Sequence, residues 1–511
     1  MSKNKQLVVN LVSSIVVFAA NLIIGFFLSP YIVERLGVEA NGFVSLANNY
    51  IMYASLVTIA LNSMAGRFMT IAIHQDNYEQ ANKYYNGVFA GNLVITLLLF
   101  LPAVFLIAKL ETVINIPKDL VFDIKVLFSF IFANFFLITA VPNWHIATFV
   151  RNKLYLESLR TIEGNLIRVG TILLLFILFS PHVYYIGIAT FLSAVYTTIC
   201  AFFYHKMLLP ELKINRKYIE FKPILELISS GIWNTINHAG QLLLNGLDLL
   251  ITNLFVGAAE MGALALAKTV PNIIGSLAGT LTGVFSPSLT IDYAKGDKEA
   301  LKANLKQGMK LTGTLLTIPL AILIIFGSEF YSLWVPSQDA KVLQILSILT
   351  CFGLVFTSGI QCLYNVFTVV NKMKLNSILI LLVGVINAGV VFVLLKTTNL
   401  GVYAIAGVST FICLVRNFVY TVPFAAKYLG LKWNAFFPEV IRSVVSVVIL
   451  TIVGYFVKSF FVIDSWTMLV LASGITGVIG LIINMIIVLN KEERKYLLNI
   501  VLSRFKKRET V

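Results

Sequence analysis

Charge is scarce in this chain. Of its 511 residues only 12% are Asp, Glu, Lys or Arg, while 58% are hydrophobic. A soluble domain carries roughly 25% charged residues, so a water-soluble globular protein is excluded. Cysteine is scarce as well: Cys200, Cys351, Cys362 and Cys413 lie in apolar stretches without paired or metal-like spacing. They read as small core residues and say nothing of redox compartment. The five histidines (His74, His145, His182, His205, His238) are scattered and form no metal motif. No glycine-rich loop ends in Lys-Ser/Thr, so no ATPase site is visible. The short alternating strands of an outer-membrane barrel are missing. No loop on the outer side is long enough for a catalytic domain with paired carboxylates, which argues against a glycosidase or glycosyltransferase.

What is present is apolar length. Runs of roughly 20 residues or more, each sufficient to cross a bilayer as a helix, recur fourteen times between residues 8 and 490. Helices are the default because lipid offers no partner to an open backbone. The expectation is an all-α integral membrane protein of about 14 transmembrane helices. The first run is too long for a cleaved signal core and is expected to stay as a helix. The net charge is +15. With the N-terminus inside, segments on the cytoplasmic side hold 26 Lys and Arg residues and those outside hold 7. This asymmetry places both termini in the cytoplasm. It assigns most of the basic charge to lipid headgroups and not to nucleic acid.

The chain repeats itself. Leu36-Gly37, Gly42 and Leu46-Ala47-Asn48 return as Val256-Gly257, Gly262 and Leu266-Ala267-Lys268. Asn152-Lys153 returns as Asn371-Lys372, and Gly187, Thr190 and Phe191 return as Gly407, Thr410 and Phe411. Two parallel six-span lobes follow: residues 1–205 and 224–429, joined by a basic linker, 206–223. Residues 430–490 add two accessory spans without a repeat partner and poor in polar residues, and 491–511 form a basic tail. The lysine-rich stretch Asp292 to Lys310 is expected to form an interfacial helix. Pro30, Pro271 and Pro287 are candidate kinks.

Span seven holds the densest chemistry. Asn234, Asn237, His238, Gln241, Asn245 and Asp248 fall on one narrow face at about 100° per residue. Such a stripe lines water or glues helices together. In span one Asn21 stands at the repeat position of Gln241, so a polar cavity, with Asn48 among its lining, is expected between the lobes. Charges also sit at membrane depth: Arg168, Lys268 and Arg416 as bases, Asp248 and Glu163 as acids. A buried charge costs at least ~2.5–3.5 kcal/mol on insertion scales, so it needs water, a ligand or a partner. Ion pairs Asp248–Lys268 and Glu163–Arg168 would satisfy that need. A cationic cavity attracting an anionic substrate would satisfy it too.

The span count, the two six-span halves and the Leu-Gly-x4-Gly turn with its Val-Gly-x4-Gly copy resemble the MOP superfamily of exporters, and most nearly its polysaccharide transporter branch. The resemblance covers essentially the whole chain. It implies two lobes with a central cavity, alternating access and no enzymatic activity. It implies a flippase that moves undecaprenyl-diphosphate-linked oligosaccharide repeat units from the inner to the outer leaflet of the bacterial cytoplasmic membrane. A polysaccharide polymerase and glycosyltransferases would be partners. Arg168, Lys268 and Arg416 are the candidate substrate-binding bases by depth. Asp248 and Glu163 are candidates for H+ or Na+ coupling, and no cofactor is expected. A multidrug/cation antiporter of the same fold and a lipid II flippase are the alternatives.

Overall fold

The computed structural model describes residues 3–370 and 372–488. The basic tail, 491–511, and Asn371 of the repeated Asn-Lys pair lie outside the described residues. Among those described, every regular element is helical. In chain order they are α1 (Lys3–Leu36), α2 (Val38–His74), α3 (Tyr78–Ala108), α4 (Leu110–Val113), α5 (Val121–Ala140), α6 (Ile146–Val150) and α7 (Leu154–Leu178). Then come α8 (Tyr184–Leu208), α9 (Phe221–Gln241), α10 (Asp248–Phe255), α11 (Ala258–Ala267), α12 (Thr269–Gly283), α13 (Ser286–Ala294) and α14 (Lys298–Trp334). The last are α15 (Ala340–Thr357), α16 (Tyr364–Val369), α17 (Met373–Thr397), α18 (Val402–Arg416), α19 (Val422–Tyr428), α20 (Phe437–Lys458) and α21 (Trp466–Val488). Thirteen helical segments are long and apolar enough to span a bilayer. The fourteenth expected span, α9 with α10, carries the polar stripe and is interrupted by a π turn at Leu242–Gly246. Leu97, Leu101, Phe105, Ile177 and Ile452 are among many large apolar side chains left exposed. An apolar surface of that extent is stable in hydrocarbon and not in water.

The repeat is visible in the helices themselves. α17 follows α7 at an offset of 219 at both ends. The turn between α2 and α3 puts Asp76 at φ 56 before the N-cap Asn77. The turn before α14 puts Gly296 at φ 72 before the N-cap Asp297. Each cap side chain accepts from the backbone N–H three residues on, at 3.0 Å for Gln80 and 2.9 Å for Ala300. The basic stretch 292–310 is therefore not a separate interfacial helix. It holds the end of α13, a capped turn and the first turns of α14. Its N-cap, like that of α3, starts a long helix at that point.

The chain forms two compact units, one of residues up to 266 with 377–388, the other of 267–376 with residues from 389 on. In the first unit α2 packs along α9, α5 and α7 along α8, and α1 along α7. Small residues allow the close approaches: a methyl on Gly231 of α9 would overlap the Ala60 carbonyl of α2. The repeated motif glycines meet here, since a Cβ on Gly42 would stand 2.9 Å from the Gly262 Cα. Sequence-level reading recognises these glycines as a repeat; the fold makes them a contact.

The linker after α8 is strapped to α3 by two buried asparagines one helical turn apart. Asn82 donates to the Glu211 carbonyl at 3.0 Å and accepts from Lys213 N–H at 2.9 Å. Asn86 donates to the Lys213 carbonyl at 2.9 Å and accepts from Asn215 N–H at 2.9 Å. Each amide thus replaces the strand partner that an extended segment lacks. Lys83 to Glu220 at 3.0 Å and Tyr84 to Glu226 at 2.8 Å continue the fastening into α9.

In the second unit α14 is the central helix, contacted by α15, α20 and α21. Ala321, Ile325, Phe326, Leu450, Leu469 and Ala472 form a common core. The accessory spans are not devoid of polar anchorage. Asn484 of α21, fully buried, donates to the Thr314 carbonyl at 2.9 Å and the Thr317 hydroxyl at 2.8 Å, and accepts from Ser446. Of the three prolines, Pro30 lies within the unbroken α1, while Pro271 and Pro287 stand in the first turns of α12 and α13 after breaks. Pro271 has no N–H to offer the Ala267 carbonyl four residues back. That carbonyl instead accepts from the Ser347 hydroxyl at 2.8 Å and the Tyr331 hydroxyl at 3.4 Å.

Replacing Asn86 by Ala removes two hydrogen bonds to the linker backbone, each worth about 0.5–1.5 kcal/mol. The expected outcome is a lowered unfolding midpoint in detergent and new trypsin cleavage at Lys213, Arg216 or Lys217. An unchanged midpoint and digestion pattern would remove the clamp.

Candidate functional site

The polar face of span seven does not run straight. The π turn at Leu242–Gly246 adds a residue to one helical turn and shifts the register below it. His238, Gln241 and Asn245 are exposed and Asn234 and Asn237 half-buried, whereas Asp248 is buried at 5%. The single-face reading at about 100° per residue thus fails at its last member, because the helix widens before Asp248. The turn is held from both sides. Asn49 and Tyr53 of α2 donate to the Gly246 carbonyl at 3.2 and 2.6 Å. Asn387 of α17 donates to the Leu243 and Leu244 carbonyls at 3.1 and 3.2 Å.

The other stripe residues are dispersed. Asn48 is exposed and donates back to the Val44 carbonyl of its own helix, at 2.9 Å. Asn21 of α1 accepts from Asn165 of α7 at 2.9 Å. Asn165 continues a polar line on α7 formed by Glu157, Thr161, Asn165 and Arg168. Their spacings of four, four and three residues keep them on one side of the helix.

This α7 line borders a cavity of about 210 Å³, closed off by α6 and α8 and lined by His145, Glu157, Arg160, Thr161, Ser193 and Thr197, with Tyr204 at its edge. Glu157 accepts from the Thr148 hydroxyl at 2.9 Å and pairs with His145 at 3.3 Å. Arg160 pairs with Glu163 at 2.6 Å and donates to the Tyr196 hydroxyl at 3.2 Å, and that hydroxyl donates to Glu163. Glu163 therefore answers Arg160 and Tyr196, and the alternative Glu163–Arg168 pair is not formed. Arg168 is half-buried, and its Nε is enclosed without a hydrogen-bond partner among the described residues. A second hollow of about 270 Å³ lies beside α1 and α7 and shares Glu157 and Thr161 with the first.

In the second unit Arg416 is buried at 9% and ends α18 just before a π turn, Asn417–Thr421. It donates to Asn376 at 3.3 Å and lies over the Tyr364 ring, 6.0 Å from its centroid. Tyr364 in turn donates to Asn417 at 3.0 Å. The Arg416 Nε has no hydrogen-bond partner among the described residues. Lys268 is half-buried at the break between α11 and α12. Arg168 thus belongs to one compact unit, and Lys268 and Arg416 to the other. Among the described residues no group of three or more His, Cys, Asp or Glu side chains is arranged to hold a metal ion. The α6–α7–α8 cavity is the feature that the sequence reading missed. Its α7 line has the same four-and-three spacing that revealed the stripe on span seven, so that signal was present.

Among the described residues, helices of this number and arrangement define an all-helical, membrane-spanning fold. Solved structures share it. One is the lipid II flippase MurJ in an inward closed conformation, with a TM-score of 0.68 and 15% identity, covering 93% of this chain and 98% of that one. Another is the inward-facing conformation of a multidrug resistance MATE family transporter of the MOP superfamily, with a TM-score of 0.61 and 16% identity, covering 80% of this chain and 94% of the other. The fold is shared with both structures. Residues 7–291 match the family described as polysaccharide biosynthesis protein. Over 500 residues the chain is 31% identical to the "Uncharacterized membrane protein EpsK" of Bacillus subtilis (strain 168), covering 98% of both chains. The chain belongs to this polysaccharide biosynthesis protein family.

Asn387→Leu withdraws the donor from two carbonyls of the π turn and is expected to cost about 1–2 kcal/mol. Asn48→Leu, at an exposed position, is expected to stay within about 0.5 kcal/mol of the parent. Unfolding midpoints in one detergent compare the two directly, and equal effects would show that the π turn does not depend on Asn387.

Proposed function

We propose that the protein is a flippase for undecaprenyl-diphosphate-linked oligosaccharide repeat units, moving them from the inner to the outer leaflet for surface polysaccharide synthesis. It is a transporter and not an enzyme in this reading. It sits in the bacterial cytoplasmic membrane with both termini on the cytoplasmic side. Family membership supports a place in polysaccharide biosynthesis. The MurJ and MATE likenesses support the transporter fold. The observation that carries the anionic substrate is Arg168: a guanidinium on a polar helix face, at membrane depth, whose Nε is enclosed and has no hydrogen-bond partner among the described residues. Such a group is costly unless a ligand completes it. A diphosphate supplies the planar acceptor pairs that arginine matches best.

Lys268 and Arg416 are the proposed companions of Arg168 in holding the diphosphate. Asn21, Asn48, Asn234, Asn237, His238, Gln241 and Asn245 are the proposed lining for the sugars. The lobes 1–205 and 224–429 are the proposed bodies of alternating access. The sugar and diphosphate cannot enter hydrocarbon, while the prenyl chain can remain there. A polar path open to the side meets both demands. Asp248 and Glu163 are the proposed sites for H+ or Na+ coupling. A polymerase and glycosyltransferases are the partners that this role requires.

Arg168→Ala is expected to lower surface polysaccharide at least tenfold at unchanged protein level, with Arg168→Lys intermediate because it keeps charge without the planar fork. Lys268→Ala and Arg416→Ala are expected to act in the same direction. Normal polysaccharide in all three variants would refute the anion-holding role. For Asp248→Asn, vesicle uptake driven by an imposed H+ or Na+ gradient should lose its gradient dependence, and full retention of it would exclude Asp248 from coupling.

A further inference from the structure

The α6–α7–α8 cavity is not used by any of the anion-holding groups named above, yet polar side chains from α7 and α8 border it. We propose that it is a subsite for one uncharged sugar ring of the transported headgroup. This inference rests on the flippase reading and adds a place for a specific part of the substrate.

Three features select this ligand. The first is charge. Arg160 is compensated by Glu163 at 2.6 Å, and Glu157 is engaged by His145 and Thr148. The cavity therefore has little net charge to offer a diphosphate or a sugar acid. The second is the kind of polar group. Glu157, Arg160 and Asn165 are planar groups able to meet vicinal hydroxyls in pairs. The hydroxyls of Thr161 and Thr197 already donate to their own helix, to the Glu157 carbonyl at 2.9 Å and the Ser193 carbonyl at 3.1 Å. Their oxygens are left as acceptors for a ligand O–H. Tyr204 adds an aromatic surface for the apolar face of a ring. The third is size and access. A volume of about 210 Å³ fits one ring and not a chain, and the adjoining hollow of about 270 Å³ provides an approach past Glu157 and Thr161.

Position agrees with the proposed anion site. Thr161 and Arg168 lie on the same side of α7, seven residues or about 10 Å apart along the helix. A diphosphate held at Arg168 would put the first sugars of its headgroup within reach of the cavity. The subsite would then read the identity of one sugar, while Arg168 reads only the diphosphate common to all such lipids.

The test uses the full-length protein in lipid nanodiscs. Saturation-transfer NMR is recorded with free glucose, galactose, N-acetylglucosamine and glucuronate, for the wild type and for Ser193→Phe, which fills the cavity. Thr161→Val and Glu157→Gln are milder changes in case Ser193→Phe does not fold. At least one uncharged sugar should show transfer in the wild type, reduced at least fivefold in the variants. Glucuronate should show none. Equal transfer in wild type and variants, no transfer from any uncharged sugar, or transfer from glucuronate alone would overturn the proposal. So would a sodium-23 linewidth change that depends on Ser193 when sugars give no signal, since the cavity would then be a cation site.

A second arm separates this inference from the reading beneath it. In a host lacking its own oligosaccharide-lipid flippase, the wild type should restore surface polysaccharide and the cavity variants should restore at most a fifth of it. Restoration by wild type and variants alike would overturn the subsite and leave the flippase standing. Failure of the wild type together with no glycolipid translocation in reconstituted vesicles would remove both.

Discussion

A backbone carbonyl in hydrocarbon has no water to turn to. That single constraint shapes this protein wherever its helices break. The Ala267 carbonyl, deprived of a donor by Pro271, takes the Ser347 and Tyr331 hydroxyls. The Gly246 carbonyl of the π turn takes Asn49 and Tyr53, and those of Leu243 and Leu244 take Asn387. Outside the membrane, the extended linker is fastened by Asn82 and Asn86 as though by a neighbouring strand. Several polar side chains in this protein are thus answers to interrupted backbone.

The same constraint gives the candidate functional groups their meaning. Where an asparagine or hydroxyl answers a carbonyl, its presence is explained by packing. Where a charged group remains open, as at the Arg168 Nε, no backbone defect accounts for it. The cavity beside α7 lies between these cases. Its ion pairs are internally balanced, yet it keeps space and acceptor oxygens that no neighbouring helix uses. The balance between local charge neutrality and unfilled hydrogen bonding suits a polyhydroxy ligand better than an ion.

Much of this was legible in the chain. The apolar runs foretold the spans, and the Gly-x4-Gly echo foretold a duplicated architecture that the matching offsets of α7 and α17 display. The depth of Arg168 and Arg416 was legible too, because position within a long apolar run fixes depth. Partner choice was not. Glu163 stands one turn from Arg160 but five residues from Arg168, and it meets Arg160 together with Tyr196 of α8. The stripe of span seven was legible as far as Gln241; a π turn then moved Asp248, and no periodicity count contains that extra residue.

Hydrophobic length, charge asymmetry and internal repetition are properties of the chain itself. They determined that it forms transmembrane helices, roughly how many, and in what repeated order, because burial in lipid is decided segment by segment. Which side chains share a space was decided only in the tertiary structure. His145 from the turn before α6, Thr161 of α7 and Ser193 of α8 come together, and two glycines 220 residues apart come into contact. Such neighbours are set by how helices cross and by where each is broken, and both depend on the whole of the surrounding packing.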